Sequence, residues 1–181
     1  MNQHSNLSLI YIFPIGLILA FFLDGSLSNT LSLFLYRSYS MVPDLSLLWI
    51  VLSIVFNHSV NLHLMIWAAV VGGAFDWYYV GIWGVLLFVL PLLVYVSRFL
   101  YQYLPADFFG ALFLYLIDLI IMLGICYFAN RFAEKISGVA VESGQTFLVD
   151  GLIPTLLINV IIFIALYFPI QRLYNDCQNR K

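Results

Sequence analysis

Residues 108–129 read FFGALFLYLIDLIIMLGICYFA, an apolar run that contains a single charged residue, Asp118. A helix of about 20 apolar residues is long enough to cross the hydrocarbon core of a bilayer. The run therefore predicts a transmembrane helix. The whole chain has the same character, because 64% of its 181 residues are hydrophobic and only 9% are charged. Soluble domains carry roughly 25% charged residues, so the composition indicates an integral membrane protein.

Further apolar segments on both sides of this run predict an all-α membrane protein, a bundle of six transmembrane helices in one domain, residues 1–181. The predicted spans cover residues 7–23, 44–57, 61–77, 82–101, 107–129 and 147–170. Between them we expect an interfacial loop or surface helix at 24–43, a polar loop at 130–146 and a polar tail at 171–181. The second and third spans are short, which indicates helices that are buried by neighbouring helices rather than by lipid.

The basic residues predict the orientation of the chain in the membrane. Arg172, Arg180 and Lys181 lie in the polar tail, which favours a cytoplasmic C-terminus. Six spans then place the N-terminus on the same side. The first apolar run is followed by no small-residue cleavage site, so we expect it to be retained as a span.

Acidic residues lie within or near several of the predicted spans. Asp118 is the one that we expect deep inside the membrane, where an ionisable side chain is costly and needs a partner such as a hydroxyl, an amide or Arg98. Asp76 ends the third span, and Asp24 and Asp150 lie near span ends. A structural role for Asp118 is favoured, and binding of a partner or ligand is the alternative.

The sequence contains no pattern typical of an active site. No spacing brings a second carboxylate to Asp118, which acid–base or protease chemistry would need. His58 and His63 are five residues apart, not the three or four that point two ligands in one direction on a helix. We therefore expect no catalytic residue, no metal and no cofactor. The net charge of −2 and the lack of a basic stripe exclude nucleic acid as a partner.

Small residues form two groups that could bring helices close together. The first span contains Gly16-x-x-x-Ala20, which places both residues on one helix face. A second group, Gly72, Gly73, Gly81 and Gly84, surrounds the end of the third span. Small side chains allow helix backbones to approach closely in lipid. They are consistent with packing inside the bundle and with a docking face for another membrane protein.

Four stretches resemble conserved blocks of the MreD family. They are VPDLSLLW at 42–49, GGAFDWYYVGIWG at 72–84, LID at 116–118 and VDGLIP at 149–154, where the family often has asparagine at the position of Asp150. The resemblance covers nearly the whole chain. The candidate partner-binding or packing residues are Pro43, Asp44, Gly72, Gly73, Asp76, Tyr78, Gly81, Gly84, Asp118 and Asp150.

The resemblance implies a non-enzymatic scaffold subunit of the bacterial rod complex, which supports lateral peptidoglycan synthesis in the cytoplasmic membrane. Its expected partners are MreC first, and then a SEDS glycosyltransferase, a class B penicillin-binding protein, RodZ, MreB and membrane lipid. The resemblance also implies a fold similar to that of the substrate-binding subunits of ECF vitamin transporters. A small-molecule-binding subunit of such a transporter is the main alternative, and a membrane enzyme or channel subunit is the second.

Overall fold

The computed structural model describes residues 3–30, 41–57, 62–80, 84–137 and 143–179, and all of the regular structure in them is helical. The helices are α1 (Gln3–Thr30), α2 (Leu45–Phe56), α3 (Leu64–Phe75, continued by a π-helical segment, Asp76–Val80), α4 (Val85–Tyr101), α5 (Phe108–Ser137) and α6. We use α6 for three continuous helical segments, Gly144–Thr146, the π-helical Phe147–Leu152, and Ile153–Asn179. The expected all-α class is confirmed.

Three helices are long and apolar enough to cross a membrane by length and composition. They contain the segments Leu9–Thr30, Phe108–Ile136 and Gly144–Gln178. The other three are shorter apolar helices. The 12 residues of α2 rise about 18 Å at 1.5 Å per residue, whereas the hydrocarbon core is about 30 Å thick. A bundle of six transmembrane spans therefore remains a prediction, and so does the resemblance to transporter subunits.

The long helices continue beyond the ends that the sequence predicted. Helix α1 runs to Thr30 through residues 24–30, α5 runs to Ser137 through residues 130–137 of the expected polar loop, and α6 includes most of the polar tail. The Asp24-Gly25-Ser26 sequence resembles a helix stop, but the Asp24 carboxylate binds amides of another helix and leaves its own helix uninterrupted. The membrane boundaries on these helices stay predictions.

Helix α2 is the buried centre of the bundle. Ten of its twelve residues are buried, and it packs against α1, α4, α5 and α6. Such a helix ends inside the protein, and its free amides and carbonyls need partners there because lipid offers none. The polar residues described below supply those partners.

The small residues of the sequence are used mainly for packing inside the bundle. A Cβ atom on Gly16 would overlap the indole ring of Trp49 in α2, and one on Gly72 would overlap the backbone of Leu86 in α4. Ala20 is buried as well. Gly16 thus admits a large ring between α1 and α2, and Gly72 permits the close approach of α3 to α4.

Candidate functional site

Asn159 of α6 binds the residues that lead into α2. Its Oδ1 accepts hydrogen bonds from the Asp44 amide at 2.9 Å and from the Tyr115 hydroxyl at 2.8 Å. Its Nδ2 donates to the carbonyls of Val42 at 2.7 Å and Thr155 at 2.9 Å. The asparagine side chain therefore uses all of its usual hydrogen-bonding capacity in a fully buried position.

Two further contacts complete this arrangement, which we call the polar cluster (Val42, Asp44, Tyr115, Thr155 and Asn159). The Thr155 hydroxyl accepts a bond from the Val42 amide at 3.2 Å. The Tyr115 hydroxyl shares its one proton between Asn159 Oδ1 and the Asp44 carbonyl, which lies 3.1 Å away. The cluster joins α5 and α6 to the chain in front of α2. It fixes where α2 begins.

Asp24 caps the first turn of α2 from a different helix, α1. Its two carboxylate oxygens accept bonds from the Leu45 amide at 2.6 Å and the Ser46 amide at 3.0 Å. Helix N-termini present unpaired amides and a partial positive charge, so a buried carboxylate is a suitable partner. Asp44, the residue before α2, makes no such bond with its own side chain.

Side chains also bind the other end of α2. The Tyr101 hydroxyl donates to the Val55 carbonyl at 3.2 Å, and Gln178 Nε2 donates to the Phe56 carbonyl at 2.9 Å. The hydroxyls of Ser53 and Tyr174 lie 2.6 Å apart. Helices α4 and α6 thus satisfy the last carbonyls of α2, as α1, α5 and α6 satisfy its beginning.

Asp76, at the end of α3, caps the first turn of α4, as Asp24 caps the first turn of α2. Its carboxylate accepts bonds from the amides of Gly84, Leu86 and Leu87 at 2.9–3.0 Å, and the residue is fully buried. Gly84 precedes α4 with a φ of 101°, a left-handed conformation that glycine adopts without strain. The sequence placed Asp76 at a span end, and the structure shows that it joins the end of α3 to the start of α4.

Asp118 is fully buried in α5 and faces α4. Its Oδ2 lies 2.5 Å from the Ser97 hydroxyl, a partner of the kind that the sequence suggested, and the same hydroxyl lies 2.7 Å from the Leu93 carbonyl. A serine hydroxyl has one proton for these two acceptors, and Asp118 Oδ1 is buried without a hydrogen-bond partner among the described residues. This geometry supports the structural role.

The remaining residues singled out from the sequence lie in different places. Pro43 is buried next to the polar cluster, and Asp150 is half-buried in the π-helical part of α6. Tyr78 is 77% exposed at the end of α3. Gly81 lies outside the described residues. The structure therefore brings Pro43 and Asp44 together with residues of α5 and α6, and does not gather the ten candidates into one site.

Sequence reasoning missed the residues of the polar cluster that come from α5 and α6. A lone asparagine in an apolar run, Asn159, was the available signal, because a polar side chain in a membrane helix needs a partner. Tyr115 and Thr155 gave no such signal, since both residue types occur in ordinary spans. Asp24 was noted only as an acid near a span end.

A half-open cavity of about 330 Å³ lies beside the start of α2, and we call it the α2 cavity. One end of its wall is polar and contains Asp24, Asp44 and Ser46, and the rest is largely apolar. The full lining comprises Asp24, Gly25, Ser28, Val42, Pro43, Asp44, Ser46, Leu47, Phe75, Leu86, Leu90, Met122, Leu123 and Cys126.

A separate groove of about 860 Å³ runs along the surface between the second half of α1 and the end of α3; we call it the docking groove. The edge-to-face contact of Phe21 with Phe75, 4.8 Å between ring centres, joins the two helices beneath it. The lining comprises Phe21, Phe22, Gly25, Ser26, Asn29, Gly73, Ala74, Trp77 and Tyr78. The described residues contain no cluster of side chains that could hold a metal ion.

One comparison with known proteins identifies a family. The family model described as rod shape-determining protein MreD matches residues 10–177, which is nearly the whole chain. No curated protein and no solved structure matches the chain.

Proposed function

Because the chain belongs to the MreD family of rod shape-determining proteins, we propose that it is a non-enzymatic membrane scaffold of the rod complex, with MreC as its direct partner. In this proposal the protein supports lateral peptidoglycan synthesis by holding other proteins in the cytoplasmic membrane. The SEDS glycosyltransferase, the class B penicillin-binding protein, RodZ and MreB join directly or through MreC. The observation that carries the proposal is the docking groove.

The docking groove has the composition that a transmembrane helix of a partner needs. Its floor includes small residues, Gly25, Gly73 and Ala74, which permit close approach of another backbone. Its rim carries large aromatic side chains that are mostly exposed: Phe22, Trp77 and Tyr78 are 64%, 70% and 77% exposed. Aromatic side chains of this kind are frequent anchors of protein interfaces. We propose that the helix of MreC lies in this groove.

In the proposed topology the docking groove lies on the side of the membrane that binding of MreC requires. With six spans and both termini in the cytoplasm, α1 and α3 both run outward, and the groove lies at the ends of both. It would then lie near the extracytoplasmic surface. The family resemblance implies that MreC is a single-span protein with a β-rich domain on that side. A vitamin-transport function receives no support from the comparisons.

We expect that replacing Ala74 with tryptophan reduces the MreC recovered with the tagged protein from detergent by about tenfold. A bulky side chain fills the floor of the groove, and a tenfold loss of affinity corresponds to about 1.4 kcal/mol of binding free energy. Ala74 is a better probe than Gly73, because a Cβ atom on Gly73 would lie 3.2 Å from Leu87 Cδ1 and would disturb α4 as well.

Ala165→Trp is the matched control, because Ala165 is exposed on α6 and does not line the groove. It should bind MreC as the unmodified protein does, and both variants should reach the membrane in equal amounts. Equal recovery of MreC with Ala74→Trp and Ala165→Trp would show that MreC does not bind in the docking groove.

A further inference from the structure

The polar end of the α2 cavity contains hydrogen-bonding capacity that the protein does not use. Asp44 Oδ2 and Ser46 Oγ are buried and have no hydrogen-bond partner of acceptable geometry in the described parts of the chain. Ser46 is only 2% exposed, and its hydroxyl proton is directed to the Asp24 carboxylate, which leaves the Ser46 oxygen as an acceptor beside the open Asp44 Oδ2. Unpaired polar atoms in such positions are uncommon because each one costs free energy. They indicate that this end of the cavity receives a hydrogen-bonding group from elsewhere.

The charges around the cavity indicate which kind of hydrogen-bonding group a ligand must carry. Asp24 and Asp44 both contribute carboxyl groups to the wall, and none of the described lining residues is basic. Asp24 is already bonded to two amides of α2, so the open acceptor is on Asp44. A complementary group must donate hydrogen bonds, and a positive charge suits a buried carboxylate best. An anionic group would be repelled.

The apolar part of the wall indicates the chemical character of the rest of the ligand. Leu90, Met122 and Phe75 represent the apolar side of the cavity. A water molecule in a protein interior needs two to four polar partners, and apolar cavities of about 150 Å³ stay dry. The volume of about 330 Å³ falls at the lower end of the usual range for ligand pockets. The apolar part therefore suits a small hydrocarbon body.

We propose that the α2 cavity binds a small amphiphile with an amine head, in which a primary ammonium donates to Asp44 and Ser46 and an apolar tail lies against Leu90 and Met122. A phospholipid with an amine headgroup shares the ammonium, but its phosphate would lie close to Asp24 and its two acyl chains exceed the volume. The inference does not depend on MreC, since every contact comes from this chain alone.

The test uses the full chain purified alone in detergent, with n-hexylamine, n-hexanol and n-hexanoate as matched probes. We expect hexylamine to raise the midpoint of thermal unfolding in a saturable way, because a ligand that binds only the folded state stabilises it. Hexanol should have a smaller effect, and hexanoate none. Phosphatidylethanolamine added to the micelles forms the lipid arm and should not reproduce the effect.

The informative variant is Asp44→Asn, with Asp107→Asn as its control. Asp44 uses its backbone, not its side chain, in the polar cluster, so the variant should fold and should lose at least about tenfold in apparent affinity for hexylamine. Without a ligand it should be as stable as the unmodified protein or more stable, which a purely structural aspartate would not allow. Asp107 is exposed and outside the cavity, and its variant should keep the full response.

Three outcomes would overturn the inference. They are the absence of a saturable hexylamine effect on the unmodified chain, an equal effect on Asp44→Asn, and stabilisation by phosphatidylethanolamine but not by hexylamine. Met122→Phe adds a second check, because a larger side chain at the apolar end should weaken hexylamine binding without touching the carboxylates.

Discussion

Asp76→Ala is expected to lower the free energy of unfolding by about 4 kcal/mol. The variant leaves the amides of Gly84, Leu86 and Leu87 without the carboxylate that they share. Each buried polar group without a partner costs about 1–3 kcal/mol, and relaxation of the turn recovers part of the sum. Unfolding by sodium dodecyl sulfate in mixed micelles, followed by circular dichroism, measures the change.

Asp107→Ala is the matched control for this variant. Asp107 caps the start of α5 by accepting a bond from the Gly110 amide at 2.7 Å, but it is exposed to solvent. The loss of an exposed cap costs about 1 kcal/mol. If Asp76→Ala and Asp107→Ala cost the same, Asp76 does not hold α3 and α4 together as the geometry implies.

Asn159→Leu should have an effect of similar size, about 3–5 kcal/mol in the free energy of unfolding. Leucine has the same branched shape and is larger, but it cannot bind the Asp44 amide, the Val42 carbonyl or the Tyr115 hydroxyl. Polar networks with one member removed leave several groups unpaired at once. The same detergent titration applies, and cells that carry the variant as their only copy should lose rod shape.

Asn130→Leu provides the comparison, because Asn130 is exposed on α5. Its stability should change by less than about 0.5 kcal/mol, as is usual for surface positions. A stable Asn159→Leu protein would show that the segment in front of α2 is held by apolar packing alone.

The helical class and the family could be read from the sequence because both depend on local information. Apolar runs such as residues 108–129 indicate helices in lipid without knowledge of their neighbours, and short blocks such as 72–84 carried the family resemblance. Both conclusions are confirmed by the helical structure and by the family match. The number of spans and the orientation remain predictions, since three of the helices are short.

The helix ends and the polar contacts could not be read in the same way because they depend on tertiary partners. Asp24 looked like a residue that ends a helix, yet its carboxylate binds amides 21 and 22 residues further along the chain. Asn159 contacts Val42, which is 117 residues away. A sequence shows that such a side chain needs a partner, but not which helix provides it.

The two groups of small residues show the same limit. Sequence spacing suggested either internal packing or docking for Gly72 and Gly73. The structure places Gly72 against the backbone of α4 and gives Gly73 a place in the docking groove as well. Whether a glycine serves internal packing or lines a surface groove depends on where the neighbouring helices lie, which the sequence does not show.

The most direct test of the scaffold proposal is photo-crosslinking in growing cells. A photoreactive phenylalanine analogue is placed at Trp77, on the rim of the docking groove, and in a second strain at Ile161, which is 63% exposed on α6. The account predicts a crosslink to MreC from position 77 and none from position 161. Crosslinking to MreC from position 161 but not from position 77 would contradict it.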